Sequence, residues 1–260
     1  MEESSVEHRI RSFSRRGGRM GKKYDELLSN EGQNFVISLE REENSPFLLK
    51  TQEIDLEEIF GRKAPLAIEI GPGSGEQCVH FALEHPDWNI LAIEAWRPGV
   101  GRIVSKIVRN DVSSVRVMEA DAAEVLPIIF GLIPQAEVNA KNGHAQEIWT
   151  FFPDPWRKKR HHKRRLVSSD FSSIVADSLC QNGIWRLATD WDNYAWQMRN
   201  VVEANESFTN PYQGHNPDPQ DEEPTRGGFS PRWDGRVMTR FEQRGIEAGR
   251  TIHDITGVKN

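Results

Sequence analysis

The chain has 260 residues, a formal net charge of -6 and a mean hydropathy of -0.63. This length can bury a substantial core as one large domain or two small ones. The sequence contains no apolar run near the roughly 20 residues that span a bilayer, and its N-terminal stretch lacks the apolar core of a signal peptide. We therefore expect a cytoplasmic protein that does not enter a membrane.

The first 60 residues show no sustained periodicity, and we expect a basic, partly flexible N-terminal extension over residues 1–60. Arg9–Lys23 is rich in Lys and Arg, which is typical either of an arm that orders on a partner or of a tail with no role. A short strand is predicted at Phe35–Leu39 and a helix at Leu56–Gly61. A second basic tract, Arg157–Arg165, makes a polyanion partner plausible despite the acidic net charge.

From Pro65 onward, apolar strands alternate with helical patterns. The predicted strands are Leu66–Ile70, Trp88–Glu94, Ser114–Glu119, Ile148–Phe152, Gly183–Thr189 and Arg236–Gln243. The predicted helices are Glu76–Glu84, Arg97–Arg109, Ala122–Phe130, Ser168–Cys180 and Trp191–Ala204. This alternation implies right-handed crossovers and a largely parallel sheet covered on both faces. We therefore predict a doubly wound α/β domain over residues 61–250, with a tail over residues 251–260.

Two polar segments interrupt this pattern. We expect residues 135–146 to form a loop insertion and residues 210–231, rich in Pro, Gly, Asp and Glu, to form a long mobile loop. The only cysteines, Cys78 and Cys180, each lie in an apolar helical pattern, which favours buried free thiols over a disulfide or metal site. His161 and His162 have no further His or Cys at ligand spacing, so we expect no metal.

Acidic residues and glycines occupy the ends of the first three strands of the regular region. Glu69 precedes the turn that contains Gly71 and Gly73, the second strand ends at Glu94, and Asp121 follows the third. In such sheets the ligand lies beyond the carboxyl ends of the strands, where a glycine turn allows close approach. This spacing fits either a dinucleotide or S-adenosylmethionine.

Two details favour S-adenosylmethionine. The third glycine of the dinucleotide motif would fall at Glu76, whose carboxylate would face a pyrophosphate. Acids at three consecutive strand ends instead suit a ligand with an ammonium group, ribose hydroxyls and an adenine amine but no phosphate, because the ligand's positive charges are stabilised by carboxylates.

The stretch EIWTFFPDPWRKKRHHKRR combines a strand, an isolated acid and a basic run. Asp154 lies between Pro153 and Pro155, and each proline disfavours the helical conformation in the residue before it. Seven Lys and Arg then follow within Arg157–Arg165. Trp156 either stacks on a base or packs to hold this turn, and Trp191 is expected in the core.

The segments EIGPGSGE, IEAWRPGV, FFPDPWRKKRHHKRR, ATDW and TRFEQRG together resemble the bacterial tRNA (guanine-N7-)-methyltransferases. The resemblance covers about Leu66 to Gly245, in order and at the family's spacing. It implies a class I S-adenosylmethionine-dependent methyltransferase with a Rossmann-like, mostly parallel, seven-stranded sheet. The implied activity is methylation of N7 of guanine 46, in the variable loop of tRNA, by a monomer or homodimer without an obligate protein partner.

The resemblance also implies roles for individual residues. The S-adenosylmethionine site would comprise Glu69, Gly71, Gly73, Glu94, Asp121 and Asp154, with Asp154 also catalytic. Substrate would contact Lys158, Asp190, Thr239, Arg240, Phe241 and Glu242. The RNA would contact Arg160, His161, His162, Lys163, Arg164 and Arg165.

The chemistry suggests what Asp154 does. Guanine N7 carries a lone pair and no proton, so no base is needed to create the nucleophile. Positioning alone can contribute about 7–11 kcal/mol, and a carboxylate can both orient the guanine and offset its developing positive charge. We expect Asp154 to be an orienting anion rather than a proton acceptor. The alternatives are a non-catalytic RNA-binding protein with this fold and a dinucleotide-dependent oxidoreductase, which Glu76 disfavours.

Overall fold

A computed structural model of the protein describes residues 20–260. The basic arm predicted over Arg9–Lys23 therefore lies almost entirely outside the described residues. The first described element is a helix that the sequence analysis missed, Lys22–Ser29. It packs closely on the helix Arg97–Arg109. At the contact, a Cβ added to Gly101 would lie only 2.9 Å from the Cβ of Tyr24, so glycine allows the close approach.

Eight strands and eight helices follow one another along the described chain. The strands are β1 (Val36–Ile37), β2 (Leu66–Ile70), β3 (Asn89–Ile93), β4 (Val115–Met118), β5 (Ala145–Phe151), β6 (Leu179–Thr189), β7 (Phe208–Thr209) and β8 (His253–Lys259). The helices are α1 (Lys22–Ser29), α2 (Leu56–Phe60), α3 (Glu76–Glu84), α4 (Arg97–Arg109), α5 (Ala122–Ile129), α6 (Ser169–Ser178), α7 (Asp192–Ala204) and α8 (Arg240–Glu247).

The strands form one sheet in the order β1-β4-β3-β2-β5-β6-β8-β7. β8 runs antiparallel to both β6 and β7, and every other pairing is parallel. The prediction of a doubly wound, mostly parallel α/β sheet is thus confirmed. The sheet has eight strands rather than seven.

Two apolar clusters cover the two faces of the sheet. α3 and α4 pack on one face around Trp149, and α5, α6 and α7 pack on the other around Ile68 and Trp185. Every residue of β2 and β3 is buried, as expected of central parallel strands that are covered on both sides. The carboxyl ends of β2 to β6 are consequently held at one rigid edge.

The predicted last strand, Arg236–Gln243, is wrong, because Arg240–Glu247 forms helix α8. The hydroxyl of Thr239 accepts the backbone N–H of Glu242 and so caps this helix. The sequence Thr-x-x-Glu is a helix-start signal that periodicity alone overlooked. The residues 251–260, which we expected as a tail, contain β8, and β8 pairs with Ile184–Thr189 of β6.

The predicted loop over residues 135–146 is largely a 3-10 helix, Pro134–Lys141, followed by the start of β5. Its buried Asn139 and Asn142 side chains both donate to and accept from the backbone of residues 52–56. These hydrogen bonds satisfy buried polar groups on both segments. The insertion therefore holds the N-terminal extension against α5.

Residues 210–231 are irregular as predicted, but they are anchored rather than loose. The fully buried guanidinium of Arg199 on α7 pairs with Asp221, and Asn216 donates to the carbonyl of Phe229. Because such buried bonds are costly to break, the segment is an anchored connection and not the mobile loop that we expected.

Candidate active site

The glycine turn between β2 and α3 lies at the carboxyl edge of the sheet. Gly71 and Gly73 adopt φ angles of 69° and 62°, which glycine reaches without steric cost. A Cβ added at either position would meet no atom within 4 Å among the described residues. The backbone is therefore open on one side, as close approach of a ligand requires.

Glu94 lies against this turn at the end of β3. Its carboxylate accepts the backbone N–H groups of Gly73, at 3.0 Å, and of Trp96, at 2.8 Å. Burial raises the pKa of Glu94 to about 7, and the negative charge of Asp154 contributes to this rise. A Cβ at Gly99 would lie 2.9 Å from both the Glu94 Cγ and the Gly73 carbonyl oxygen, so α4 closes tightly on this pair.

Glu69 lies near the end of β2 and is only 5% exposed. Its Oε2 atom has no hydrogen-bond partner within the part of the chain that the structure describes. Burial raises the pKa of Glu69 to about 8, although hydrogen bonds from Cys78 oppose this rise. An unsatisfied buried carboxylate is costly, so this oxygen beside the open turn suits a ligand that carries a cationic or donor group.

Asp121 completes a row of acids at this edge. It follows β4 and caps α5 by accepting the backbone N–H of Ala123 at 3.1 Å. Since β4, β3 and β2 are neighbours in the sheet, Glu69, Glu94 and Asp121 follow one another along its edge. The residues present fit a ligand that has an ammonium, hydroxyls and an amine and that carries no phosphate.

Glu76, the residue that disfavours a dinucleotide, forms an ion pair with Lys106. Lys106 of α4 contacts a Glu76 carboxylate oxygen at 2.6 Å and donates to the carbonyl of Ser74 at 2.9 Å. The Ser74 hydroxyl also donates to Glu76. The outer half of the glycine turn is thus tied to α4 through Glu76.

The residues between β5 and the basic run, Phe152–Trp156, form what we call the acceptor segment. Asp154 is exposed at its centre. Phe152 and Trp156, at the two ends, have φ angles of 51° and 45°. Left-handed backbone is unusual for bulky residues and costs on the order of 1–3 kcal/mol each. The segment persists only because its surroundings hold it.

The basic run forms a 3-10 helix, Lys159–Arg164, directly after the acceptor segment. The guanidinium of Arg164 lies over the Trp156 ring at 3.7 Å, and His161 meets that ring edge-on. Desolvation and the neighbouring cations lower the pKa values of His161 and His162. The exposed positive charges are those of Arg157, Lys158, Lys159, Arg160 and Lys163.

Arg165 was predicted to contact RNA, but the structure places it inside, 5% exposed. Its guanidinium donates to the carbonyl of Pro155 at 2.9 Å and to Gln197 at 2.8 Å. It also lies over the Tyr194 ring at 4.6 Å. Arg165 therefore joins the acceptor segment to α7 and lies beneath the exposed basic surface, and its contact with RNA stays a prediction.

Asp190 directly follows β6 and accepts a hydrogen bond from the Nε of Arg250 at 2.7 Å. α8 packs against it, because a Cβ at Gly245 would lie 3.1 Å from the Asp190 side chain. Thr239 caps the start of α8. Arg250 was missed by the sequence analysis, which assigned the residues before β8 to no element.

The predicted substrate residues on α8 differ in exposure. Arg240 is exposed and Phe241 is 61% exposed, whereas Glu242 is 1% exposed. The Glu242 carboxylate pairs with Arg232 at 2.9 Å and with Arg236 at 3.1 Å. Glu242 is thus enclosed by arginines, and Arg236, which precedes the TRFEQRG segment, was not among the predicted site residues.

The remaining predictions concern isolated side chains. Cys78 and Cys180 are both free, but only Cys78 is buried. Trp191 is partly buried beneath the guanidinium of Arg157 rather than deep in the core.

Across residues 20–260 we find no three His, Cys, Asp or Glu side chains grouped to hold a metal ion, and no helix there is both long and apolar enough to cross a membrane.

Comparison with known proteins places the fold and the family. A family model described as "Putative methyltransferase" matches residues 63–255. The crystal structure of the 16S rRNA methyltransferase KamB superposes with a TM-score of 0.52 over 83% of this chain and 97% of that one. At 12% sequence identity this likeness shows the fold alone.

Curated relatives are more similar in sequence. The tRNA (guanine-N(7)-)-methyltransferase of Cutibacterium acnes is 39% identical over 96% of this chain and 83% of its own length. The proteins of the same name from Paenarthrobacter aurescens and Aliivibrio fischeri are 35% and 36% identical, over 94% and 100% of this chain and 90% and 95% of their own lengths. The chain belongs to the tRNA (guanine-N(7)-)-methyltransferase family.

Proposed function

We propose that the protein transfers a methyl group from S-adenosylmethionine to N7 of guanine 46 in the variable loop of tRNA. The observation that carries this proposal is the position of Asp154. It is close enough to the acid row to act on the ionisation of Glu94, and it lies directly before the exposed basic 3-10 helix. A site for a cationic methyl donor and a surface for a polyanion therefore meet at one carboxylate.

The cofactor would be held by Glu69, Gly71, Gly73, Glu94 and Asp121, and Asp154 would border it. S-adenosylmethionine supplies a methyl group that is activated by its positively charged sulfur. The unsatisfied oxygen of Glu69 suits the ammonium, since a cation there favours the ionised carboxylate. Glu94 offers acceptors for ribose hydroxyls, and Asp121 offers one for the adenine amine.

Asp154 would orient the guanine by accepting hydrogen bonds from its N1–H and exocyclic amine. The same charge offsets the positive charge that develops on the ring as N7 is methylated. No proton is removed from N7, so Asp154 serves as an orienting anion and not as a base. The surrounding substrate contacts would come from Lys158, Asp190, Thr239, Arg240 and Phe241. Glu242 is enclosed and would support these contacts without touching the substrate.

The tRNA backbone would lie along the 3-10 helix. Lys159, Arg160 and Lys163 present exposed charges there, and each phosphate contact adds to the salt dependence of affinity. Arg164 and His161 pack against Trp156 at the base of this surface, and His162 contacts Arg165.

The test is incubation of the protein with labelled S-adenosylmethionine and unmodified tRNA, followed by nucleoside analysis. We expect label in 7-methylguanosine. A matched tRNA in which adenine replaces guanine 46 should accept no label. Label in another nucleoside, or equal labelling of the two tRNAs, would refute the assignment. Absence of label despite measurable S-adenosylmethionine and tRNA binding would instead favour the non-catalytic alternative.

A further inference from the structure

Arg236 is a buried cation whose position the function described so far does not explain. Its side chain is fully buried, and its Nη2 atom contacts Asp254 at 2.9 Å and Glu242 at 3.1 Å. Its Nε and Nη1 atoms have no hydrogen-bond partner among residues 20–260. Leaving buried donors unsatisfied is costly, so such a group calls for a reason.

The guanidinium of Arg236 lies over the start of the acceptor segment. It is 5.4 Å from the centre of the Phe152 ring and 5.5 Å from that of Phe151. A cation over an aromatic face is attracted by about 0.5–2 kcal/mol, and more when both groups are desolvated. That range is comparable to the cost of the left-handed backbone at Phe152.

Both strained ends of the acceptor segment are therefore held in the same way. Arg236 lies over the ring of Phe152, and Arg164 lies over the ring of Trp156. Asp154 is two residues from each. The backbone N–H of Phe152 also donates to the carbonyl of Ala188 on β6, at 2.7 Å. The direction in which Asp154 leaves the sheet depends on these two aromatic residues.

The main chain on either side of Arg236 is held by α3. Gln77 is 1% exposed, and its amide donates to the carbonyl of Gly235 and accepts the N–H of Val237, both at 2.8 Å. α3 is the helix that begins at the glycine turn. Arg236 thus connects the helix that follows this turn to the segment that carries Asp154.

We propose that Arg236 is a positioning residue for methyl transfer. By holding Phe152 in its left-handed conformation, it places Asp154 at a fixed position relative to the glycine turn. Glu242 and Asp254 serve to hold Arg236, which explains why Glu242 is enclosed rather than open to substrate. This inference rests on the role proposed above for Asp154.

The test compares two charge-conserving variants. Arg236→Lys keeps a positive charge near Glu242 and Asp254 but loses the planar group that covers Phe152. We expect its kcat to fall at least about tenfold, with KM for tRNA and Kd for S-adenosylmethionine within about threefold of wild type. The matched control is Arg232→Lys, which alters the partner of Glu242 on its exposed side, and its kcat should stay within about threefold.

Two results would overturn the proposal. They are an unchanged kcat in Arg236→Lys, with or without a lowered melting temperature, and an equal loss of kcat in Arg232→Lys. The first result would mean that Arg236 only stabilises the fold, and the second that the effect runs through Glu242 alone.

If Arg236→Lys does not fold, Phe152 gives an independent test. Phe152→Tyr keeps the ring and should retain kcat, whereas Phe152→Leu deletes it and should lose at least about tenfold. Equal activity of the two variants would overturn the proposal. The wild-type reaction with tRNA reports on the proposed function, and the ratio of variant to wild type reports on Arg236. An inactive wild type would overturn both.

Discussion

The carboxylate of Asp154 lies close enough to that of Glu94 to act on its ionisation. Burial raises the pKa of Glu94 to about 7, and the charge of Asp154 contributes to the rise. Two like charges at one edge of the sheet destabilise each other unless a cation comes between them. This pair therefore marks where the cofactor side and the acceptor side of the site meet.

Replacing Asp154 should impair turnover far more than cofactor binding. We expect Asp154→Ala to lower kcat by about 10²–10³-fold, the range found when one preorganised transition-state contact is lost. Asp154→Asn should recover little, because its neutral amide cannot offset the charge on the methylated ring. Single-turnover rates and calorimetric titration of S-adenosylmethionine check this. Near wild-type methylation by Asp154→Ala would exclude the orienting role.

Glu69 should reduce the stability of the ligand-free protein at alkaline pH. Its pKa is raised from 4.5 to about 8, so the folded chain holds a proton that the unfolded chain has lost between those values. Stability contributed by Glu69 is therefore highest at low pH and falls as the pH rises through this window. We expect Glu69→Gln to be more stable than wild type at pH 8.5 by about 1–3 kcal/mol and nearly equal at pH 5.

Denaturant unfolding across this pH range measures the difference. The control is Glu84→Gln at the end of α3. Because Glu84 is exposed, its substitution should change the unfolding free energy equally at both pH values. Glu69→Gln should also weaken S-adenosylmethionine binding. A pH-independent difference between Glu69→Gln and wild type would contradict the assigned ionisation.

The parts of the fold that follow from local pattern were predictable. β2, β3 and β4 are short apolar runs between glycines and polar residues, and their positions were predicted within about two residues. α8 was missed although Thr239 and Glu242 form a recognisable helix start, because the apolar residues around them were assigned to a strand. Here a capping signal outweighs a weak periodic one.

The conformation of the acceptor segment could not be predicted. Pro153 favours an extended Phe152, yet Phe152 is left-handed because Arg236 and β6 hold it from distant parts of the chain. The same limit applies to Arg165, whose run of basic neighbours indicates a surface position. Its partners on α7 lie about thirty residues later, and only the tertiary structure brings them together.

The exposed cations of the 3-10 helix should control the salt dependence of tRNA affinity. Arg160→Ala combined with Lys163→Ala should flatten the log–log slope by about 1.4–1.8, because each lost phosphate contact contributes about 0.7–0.9. The control is Lys63→Ala combined with Arg109→Ala, which removes two exposed charges near the opposite edge of the sheet. Filter binding at several salt concentrations measures both slopes. Equal slopes in the two double variants would exclude this surface.

Arg165 should affect the stability of the fold rather than the salt dependence of tRNA affinity. Arg165→Met removes the donors to Pro155 and Gln197 and leaves buried acceptors unsatisfied, so we expect a loss of about 1–3 kcal/mol in unfolding free energy. The salt slope for tRNA should stay that of wild type, since no exposed charge is lost. A flattened slope without a loss of stability would show that Arg165 does contact phosphate after all.

The antiparallel strand β8 has a consequence for the order of folding. β2, β3 and β4 are joined by successive crossovers, so each pairs with its neighbour along the chain, and β5 then pairs back with β2. β6 pairs with β5 on one side and with β8 on the other, and the pairing of Thr189 with His253 closes a long segment that includes α7 and α8. Long-range pairing is slow, and larger proteins fold through partly assembled states. We therefore expect β2, β3 and β4, which carry or precede the three acids of the cofactor site, to pair before β8 closes on β6.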